Sequence, residues 1–276
     1  MKLSIITINY NNCEGLRRTI ESVVAQTCSD FEYIVIDGGS TDDSVDVIKQ
    51  YAQQIDYWVS EPDKGIYNAM NKGVAQAHGE YCLFMNSGDC LNDEAVVEDV
   101  YSIGLNSDVV TGGIKKDGGN VYFGPERVSM RHFYRKTLFH QASFIKTDVL
   151  REIPYDESYE IAADWKFFID ALVVNGHTYS PIARVVGIME PDGKGANQEI
   201  HTKECQRMLQ SVLPKYVFAD YDAFLDGESD YDKFYMCVKN SRFRGMLYVL
   251  NCIIVKICNI GRKDNWTKSF SIRNKA

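Results

Sequence analysis

The chain has 276 residues, of which 45% are hydrophobic and 25% are charged, a balance typical of a globular protein that can bury a core. This length accommodates one large domain or a domain with an appendage. The net charge of −8 argues against nucleic acid as the main substrate, because a nucleic-acid-binding domain is expected to present a basic surface.

The first hundred residues alternate between strand and helix patterns. Strands are predicted at 3–8, 31–36, 57–60 and 81–85, and helices at 12–25, 40–51 and 66–77. This alternation is typical of a parallel sheet with helices on both faces. Ligands bind beyond the carboxyl ends of the strands in such sheets, so polar residues at those ends are candidates for a functional site.

The second half of the chain predicts further strands, one long helix and a loop. Residues 108–124 are rich in Gly and β-branched residues and predict strands with turns, whereas 161–175 predicts a helix. The Gly- and Pro-containing segment 190–197 predicts a loop. We therefore expect an α/β domain over residues 1–200, with halves 1–100 and 101–200, and a helical C-terminal extension over 201–276.

The C-terminal extension ends in a basic, apolar segment. Residues 239–276 contain nine Lys or Arg and one acid, a net charge of +8, so the rest of the chain carries −16. A helix over 246–258 would be about 20 Å long, too short for a hydrocarbon core of about 30 Å. Its apolar face and basic flanks fit a helix lying in the membrane surface. Packing on the protein body or in a dimer explains the same periodicity equally well.

The cysteines and the N-terminus predict a reducing compartment. The eight cysteines form no CxxC pair, which argues against a zinc site and a disulfide framework. The N-terminal residues lead directly into a short β-branched run that does not resemble an export signal. We expect buried free thiols and a cytoplasmic protein, with peripheral attachment to the inner face of the membrane through 246–258 as the alternative location.

Four short strings follow strands or open the predicted helix at 161–175. They are Thr7-Ile8-Asn9-Tyr10-Asn11, Asp37-Gly38-Gly39-Ser40-Thr41-Asp42, Asn86-Ser87-Gly88-Asp89 and Ala162-Ala163-Asp164-Trp165. In this order and spacing, over roughly residues 1–200, the chain resembles the family 2 glycosyltransferases. The resemblance implies a GT-A-like nucleotide-binding fold, with a mixed, mostly parallel sheet flanked by helices. It also implies transfer of a sugar from a nucleotide sugar with inversion.

The resemblance assigns the nucleotide, expected to be UDP, to the strand ends and the loops beside them. The implied contacts are Thr7, Asn9, Asn11, Asp37, Asp63, Lys64, Asn86 and Ser87. The two glycines after Asp37 allow the backbone to approach a ligand closely. For residues 7–11, a polar turn that caps the next helix is the alternative interpretation.

The metal-binding motif of the family is reduced in this chain. Asn86 and Gly88 occupy positions that are often acidic, which leaves Asp89 as the implied ligand of Mg²⁺ or Mn²⁺. One carboxylate suffices where phosphate oxygens and water complete the coordination. Capping of the following helix is the alternative role for Asp89.

Asp164 is the implied catalytic base, since the family uses a carboxylate in this helix to take the proton of the acceptor hydroxyl. Helix capping is the alternative for Asp164. The candidates for acceptor or phosphate contacts are His140, Gln141, Trp165 and His201. A buried, hydrogen-bonded histidine and a core tryptophan remain open as alternatives for His140 and Trp165.

The expected partners are a nucleotide-sugar donor and a glycan or lipid-linked acceptor in surface polysaccharide synthesis, with no nucleic acid. Two other functions remain open. A nucleotidyltransferase would normally carry a basic Gly-rich loop near the N-terminus, which 9–13 does not resemble. A non-catalytic nucleotide-sugar-binding protein is favoured by the reduced acidic motif. NAD chemistry is disfavoured because no GxGxxG motif follows a strand.

Overall fold

The computed structural model describes residues 2–116, 119–134, 136–190, 198–215 and 217–218. One compact unit spans Met1–Val212 and a second spans Leu213–Ala276. The domain boundary expected near residue 200 stays a prediction. The predicted helix at 246–258 and most of the predicted loop at 190–197 lie outside the described residues.

The described residues form nine strands and eight α-helices. The strands are β1 Leu3–Asn9, β2 Phe31–Asp37, β3 Tyr57–Ser60, β4 Tyr81–Phe84, β5 Cys90–Leu91, β6 Val109–Lys115, β7 Val121–Phe123, β8 Ser143–Lys146 and β9 Tyr179–Ile188. The helices are α1 Cys13–Val24, α2 Ser44–Gln50, α3 Ile66–Gln76, α4 Val96–Ile103, α5 Met130–Phe133, α6 Thr147–Glu152, α7 Ala163–Ile169 and α8 Gln198–Val212. A 3₁₀ turn at His140–Ala142 precedes β8, and a π-helical turn at Asp170–Val174 extends α7.

The N-terminal half of the sheet is parallel, as predicted. The strand order is β3-β2-β1-β4, and every pairing within it is parallel. Strand β1 is buried along its whole length, as expected when helices cover both faces of a parallel sheet. In register, Asn9 pairs with Asp37, and Asp37 pairs with Ser60. The carboxyl ends of these strands therefore meet at one edge.

The C-terminal half makes the sheet mixed. Beyond β4 the order continues β8-β6-β9-β5, with β7 paired to β6. The β4–β8, β8–β6, β6–β7 and β9–β5 pairings are antiparallel, whereas β6 and β9 are parallel. The mixed α/β fold is confirmed, and the strands expected within 108–124 are β6 and β7. Parallel pairing predominates only in the first half.

The helix predicted at 161–175 corresponds to α7 and its π-helical extension. Its start is set by Glu204 of α8, whose carboxylate accepts the backbone N–H groups of Glu160, Ile161 and Ala162 at 2.6, 3.0 and 2.9 Å. These bonds satisfy donors that would otherwise lack partners at the helix N-terminus. Asp164, the second residue of α7, is thereby placed by a contact from a distant helix.

The described cysteines carry free thiols, of which Cys82 is buried and Cys13, Cys28, Cys90 and Cys205 are half-buried, whereas buried thiols were expected throughout. Within the described part of the chain, no helix is both long and apolar enough to span a bilayer.

A buried carboxylate stabilises the opposite, amino-terminal edge of the sheet. Glu32 on β2 is only 5% exposed and accepts hydrogen bonds from Ser4 Oγ at 2.5 Å, from the Gly79 N–H at 3.0 Å and from the His78 N–H. Burial alone would raise the pKa of Glu32, but these hydrogen bonds outweigh it and hold the pKa below its ordinary value.

Because the pKa of Glu32 is lower in the folded state, its charge stabilises the fold above the unfolded-state pKa near 4.5, and this contribution disappears as the pH falls through the folded-state pKa. We expect Glu32→Gln to lower the free energy of unfolding at pH 7 by about 1.5–3 kcal/mol. The further decrease in this free energy as the pH falls should be smaller than in the wild type. Urea unfolding at several pH values tests this, with the exposed Glu14→Gln as control. Parallel stability–pH curves for the wild type and Glu32→Gln would contradict the prediction.

Candidate active site at the carboxyl edge of the sheet

Asp37 connects the ends of the first three strands. It is fully buried and accepts four hydrogen bonds, from Asn9 Nδ2 at 2.8 Å, Ser60 Oγ at 2.6 Å, Ser40 Oγ at 2.6 Å and the Ser40 N–H at 2.9 Å. Burial alone would raise the pKa of Asp37, but these hydrogen bonds outweigh it and lower the pKa. Four bonds use the acceptor capacity of a carboxylate. The geometry therefore gives Asp37 a role in shaping the edge, and its direct contact with a nucleotide stays a prediction.

Of the residues at the end of β1, some are buried in the interior and others lie at the carboxyl edge of the sheet. Thr7 is completely buried, with Oγ1 2.9 Å from the Tyr33 hydroxyl, so its predicted nucleotide contact is not supported. Asn9 is 4% exposed, and its buried Oδ1 has no hydrogen-bond partner. Asn11, at a φ of 49°, accepts the Thr41 N–H at 2.8 Å and so holds the loop after β2 against β1.

A small surface beside Gly38 is formed by side chains from two further segments. A Cβ atom at Gly38 would collide with Asp63 Oδ2 and lie 3.3 Å from Tyr10 Cδ2, so a side chain here would displace Asp63. The Tyr10 side chain is 51% exposed. We call Tyr10, Gly38 and Asp63 the base edge. Lys64 is exposed at its margin, and its backbone N–H donates to Asn68 Oδ1 at 3.2 Å.

The turn at residues 86–89 follows β4 and is held by helix α1. Asn12 Nδ2 donates to the Ser87 carbonyl oxygen at 3.1 Å, and the Gly88 N–H donates to Thr19 Oγ1 at 2.9 Å. Gly88 has a φ of 105°, a conformation that residues with a side chain rarely adopt. The turn is therefore a fixed structure at the same edge as the base edge.

Asp89 is buried beneath the turn and hydrogen-bonded on both carboxylate oxygens. It is 5% exposed, Oδ2 accepts from Gln141 Nε2 at 3.1 Å, and Oδ1 accepts the Glu190 N–H at 2.9 Å. Burial raises the pKa of Asp89 despite these hydrogen bonds. Each carboxylate oxygen of Asp89 thus already accepts one hydrogen bond, and its role as a direct metal ligand stays a prediction. Gln141 is 7% exposed and positions Asp89 through this bond, and its predicted contact with the acceptor stays a prediction.

Other oxygen atoms at this turn fit a hard divalent cation. Asn86 Oδ1 is buried without a hydrogen-bond partner, and the carboxyl carbon of Glu190 lies 2.6 Å from where a Cβ of Gly88 would be. The described residues contain no cluster of three or more His, Cys, Asp or Glu that could hold a metal. A cation here would therefore take its remaining ligands from phosphate and water, as Mg²⁺ commonly does.

Asp164 is joined to the 86–89 turn through an imidazole. Its Oδ1 accepts the Trp165 N–H at 2.8 Å and the Tyr67 hydroxyl at 3.3 Å, and its Oδ2 lies 3.1 Å from His140 Nδ1. His140 Nε2 lies 3.0 Å from Asn86 Nδ2. Because an amide nitrogen only donates, Nε2 accepts and Nδ1 carries the proton given to Asp164. We call this arrangement the Asn86–His140–Asp164 chain.

The side chain of Asp164 is partly accessible, at 17%, and that of His140 at 12%. Since His140 and Gln141 are consecutive, they bring Asp164 and Asp89 to the same edge of the molecule. The two acids differ in exposure, however, and only Asp164 is available to a substrate hydroxyl.

The remaining candidates lie around α7 and α8. Trp165 is 5% exposed and its Nε1–H donates to the Phe133 carbonyl at 2.8 Å, so it packs in the core instead of stacking on a sugar. His201 lies one turn before Cys205 on α8, with Nδ1 3.7 Å from Sγ. Burial, and then the charge of Asp164, raise the pKa of Cys205 to about 12. Helix α8 is thus close to Asp164, and His201 remains a candidate contact.

Four residues of this edge were not predicted from the sequence, namely Tyr10, Tyr67, Glu190 and Glu204. Tyr10 could have been predicted from the sequence, because it is an aromatic residue directly after a polar strand end. The others reach the site through tertiary contacts more than forty residues away along the chain, as between Glu204 and Ala162, and no local pattern marks them.

The family model described as Glycosyl transferase family 2 matches residues 4–167, more than half of the chain. An uncharacterised glycosyltransferase of Mycobacterium tuberculosis is 35% identical over 189 residues, covering 62% of this chain and 69% of the relative. A PGL/p-HBAD biosynthesis glycosyltransferase of Mycobacterium bovis is 33% identical over 173 residues, covering 60% of this chain and 68% of the relative.

Two solved structures share the fold. Residues 1–349 of S. aureus TarS in complex with UDP-GlcNAc align with a TM-score of 0.62 at 20% identity, covering 80% of this chain and 70% of that one. The mannosyltransferase PcManGT from Pyrobaculum calidifontis, in complex with GDP-Man and Mn²⁺, aligns with a TM-score of 0.57 at 12% identity, covering 93% of this chain and 80% of that one. At these identities the likeness concerns the fold alone.

Proposed function

The chain belongs to glycosyl transferase family 2, and on this premise we propose that it moves a sugar from a UDP-linked donor to a hydroxyl of a glycan or lipid-linked acceptor, with inversion. The observation that carries the proposal is the Asn86–His140–Asp164 chain, which joins a partly exposed carboxylate to the edge where four parallel strands end. This edge is where a sheet of this class binds its ligand.

Asp164 is the proposed catalytic base. As the acceptor hydroxyl attacks the anomeric carbon, Asp164 takes its proton, the new C–O bond forms, and the electron pair of the breaking bond leaves with the nucleoside diphosphate. Attack from the face opposite the diphosphate inverts the configuration. His140 donates to Oδ2 and the Trp165 N–H donates to Oδ1, so the carboxylate is held in one orientation before the acceptor arrives.

The base edge is the proposed uracil site. Tyr10 offers an exposed ring on which a base can stack, and Asp63 offers a carboxylate beside Gly38. Asn9 Oδ1, buried without a partner, is an acceptor suited to the N3–H of uracil. Asn11, Lys64 and Ser87 are the further proposed contacts with the nucleotide, and the diphosphate is expected at the 86–89 turn.

A divalent cation, Mg²⁺ or Mn²⁺, bound at the 86–89 turn would neutralise the charge that develops on the leaving diphosphate. The complex of PcManGT with GDP-Man and Mn²⁺ supports this part of the proposal, because the two proteins share a fold. The acceptor is proposed from the basic C-terminal segment, which would keep the enzyme near a lipid-linked glycan at the membrane surface. The relative named for PGL/p-HBAD biosynthesis supports a biosynthetic role.

Thermal unfolding with a panel of nucleotides and nucleotide sugars tests the proposal. A ligand at 100 times its Kd stabilises the folded state by about 2.7 kcal/mol, a rise of about 5–10 °C in Tm for a chain of this size. We expect UDP and one or a few UDP-sugars to produce this rise, and GDP, CDP and ADP to produce much less. The active UDP-sugar should also release UDP slowly with water as acceptor. A rise without any UDP release would favour the non-catalytic binding protein, and no rise with any uridine nucleotide would refute the donor assignment.

A further inference from the structure

We propose that Glu190 supplies the carboxylate ligand of the divalent cation, in place of the acids missing at positions 86 and 88, and that Arg18 holds this carboxylate until the cation binds. The inference rests on the proposed function, because it assumes that a diphosphate occupies the 86–89 turn. It goes beyond that function by assigning the metal site to a residue that lies outside the acidic motif of the family.

The sheet register places Glu190 at the turn. Strands β5 and β9 are antiparallel, with Cys90 opposite Ile188 and Leu91 opposite Gly187. Continuing this register by two residues puts Gly88 opposite Glu190. Asp89 Oδ1 accepts the Glu190 N–H at 2.9 Å and anchors the backbone there. Asp89 therefore contributes to the site by positioning Glu190.

The side chain of Glu190 fills the space that a side chain at position 88 would need. A Cβ at Gly88 would collide with Glu190 Oε2 and lie 2.6 Å from its carboxyl carbon. The Glu190 carboxylate thus occupies the volume that an acidic side chain at position 88 would occupy. Asn86 Oδ1, two residues earlier in the turn, is an independent sign of an absent ligand, because it is a buried acceptor without a partner.

The accessibility and charge of Glu190 would allow a divalent cation to replace Arg18 as its partner. Its side chain is 31% exposed, against 5% for the residue Asp89, and it forms an ion pair with Arg18, whose side chain is 51% exposed. An exposed ion pair of this kind contributes little stability, so it is easily broken. A divalent cation brings a larger charge and accepts carboxylate oxygens as direct ligands. Arg18 is then released toward the diphosphate or the solvent.

Mn²⁺ titration followed by electron paramagnetic resonance tests the inference, first with Mn²⁺ alone and then with UDP present. We expect Glu190→Gln to weaken Mn²⁺ binding about 10- to 100-fold, the range observed when residues that hold the ligands of a metal site are mutated. Arg18→Gln should tighten binding several-fold, because it removes the competing cation. Asp99→Asn on α4, which breaks a similar ion pair with Arg184 of β9, should leave the Mn²⁺ affinity unchanged.

If Glu190 is a metal ligand, Glu190→Gln and Arg18→Gln change the Mn²⁺ affinity in opposite directions. If the ion pair is only structural, both variants change the affinity in the same direction. The inference is overturned if Glu190→Gln binds Mn²⁺ as the wild type does, if both variants weaken binding equally, or if the wild type binds no Mn²⁺ in either titration. Because the Mn²⁺ titrations measure no sugar transfer, a negative result would refute the inference and leave the proposed transfer from a UDP-linked donor untouched. Circular dichroism of each variant verifies that it is folded.

Discussion

Asp164→Asn is expected to lower the rate of UDP release from the active UDP-sugar by about 10²–10⁴-fold, the contribution of a positioned general base. The amide keeps an oxygen that can accept the Trp165 N–H, so the start of α7 should be preserved. It cannot take the acceptor proton. The rise in Tm caused by UDP should stay at the wild-type value, because the described side-chain bonds of Asp164 go to His140, Tyr67 and the Trp165 N–H, and none goes to the base edge.

Asp170→Asn is the matched control for this prediction. Asp170 follows α7 in the same helical segment, and its carboxylate accepts from Lys166 Nζ at 2.6 Å, away from the Asn86–His140–Asp164 chain. We expect its turnover to stay within a few-fold of the wild type. If Asp164→Asn retains turnover to the same extent as Asp170→Asn, another group is the base.

The order of strands and helices could be predicted because it depends on local patterns. The apolar run at Leu3–Asn9 and the amphipathic pattern of α1 require only burial and periodicity, and both formed as expected. The antiparallel insertion of β8 between β4 and β6 could not be predicted, because it depends on pairing between residues such as Tyr81 and Lys146. No local pattern specifies a partner at that separation.

The candidate site was predicted at the level of segments and less well at the level of side chains. Strand ends identify which segments meet, and the ends of β1 and β2 and the turn after β4 lie at one edge. Which way a side chain faces depends on its partners. Thr7 is turned inward by Tyr33, a contact that no spacing along the chain could reveal.

Asp37 illustrates how a functional motif can act through structure. The family resemblance implies a contact between this acid and the nucleotide, whereas the carboxylate here accepts Asn9, Ser40 and Ser60 at the ends of three strands and their loop. Removing it would leave buried donors without an acceptor, which costs more than the hydrogen bonds themselves contribute. The stability of the fold and the shape of the binding edge therefore depend on the same side chain.

Asp37→Ala is accordingly expected to lower the free energy of unfolding at pH 7 by about 3–4 kcal/mol, roughly two hydrogen bonds to a charged group. The matched Ser60→Ala, which removes one of the donors, should cost only about 1 kcal/mol. Since the folded-state pKa of Asp37 is lowered, the difference between wild type and Asp37→Ala should persist above pH 4 and shrink as the pH falls through that folded-state pKa. Urea unfolding combined with UDP titration measures both consequences. An Asp37→Ala protein that unfolds like the wild type but no longer binds UDP would show that the carboxylate contacts the nucleotide directly, and the structural role assigned here would be wrong.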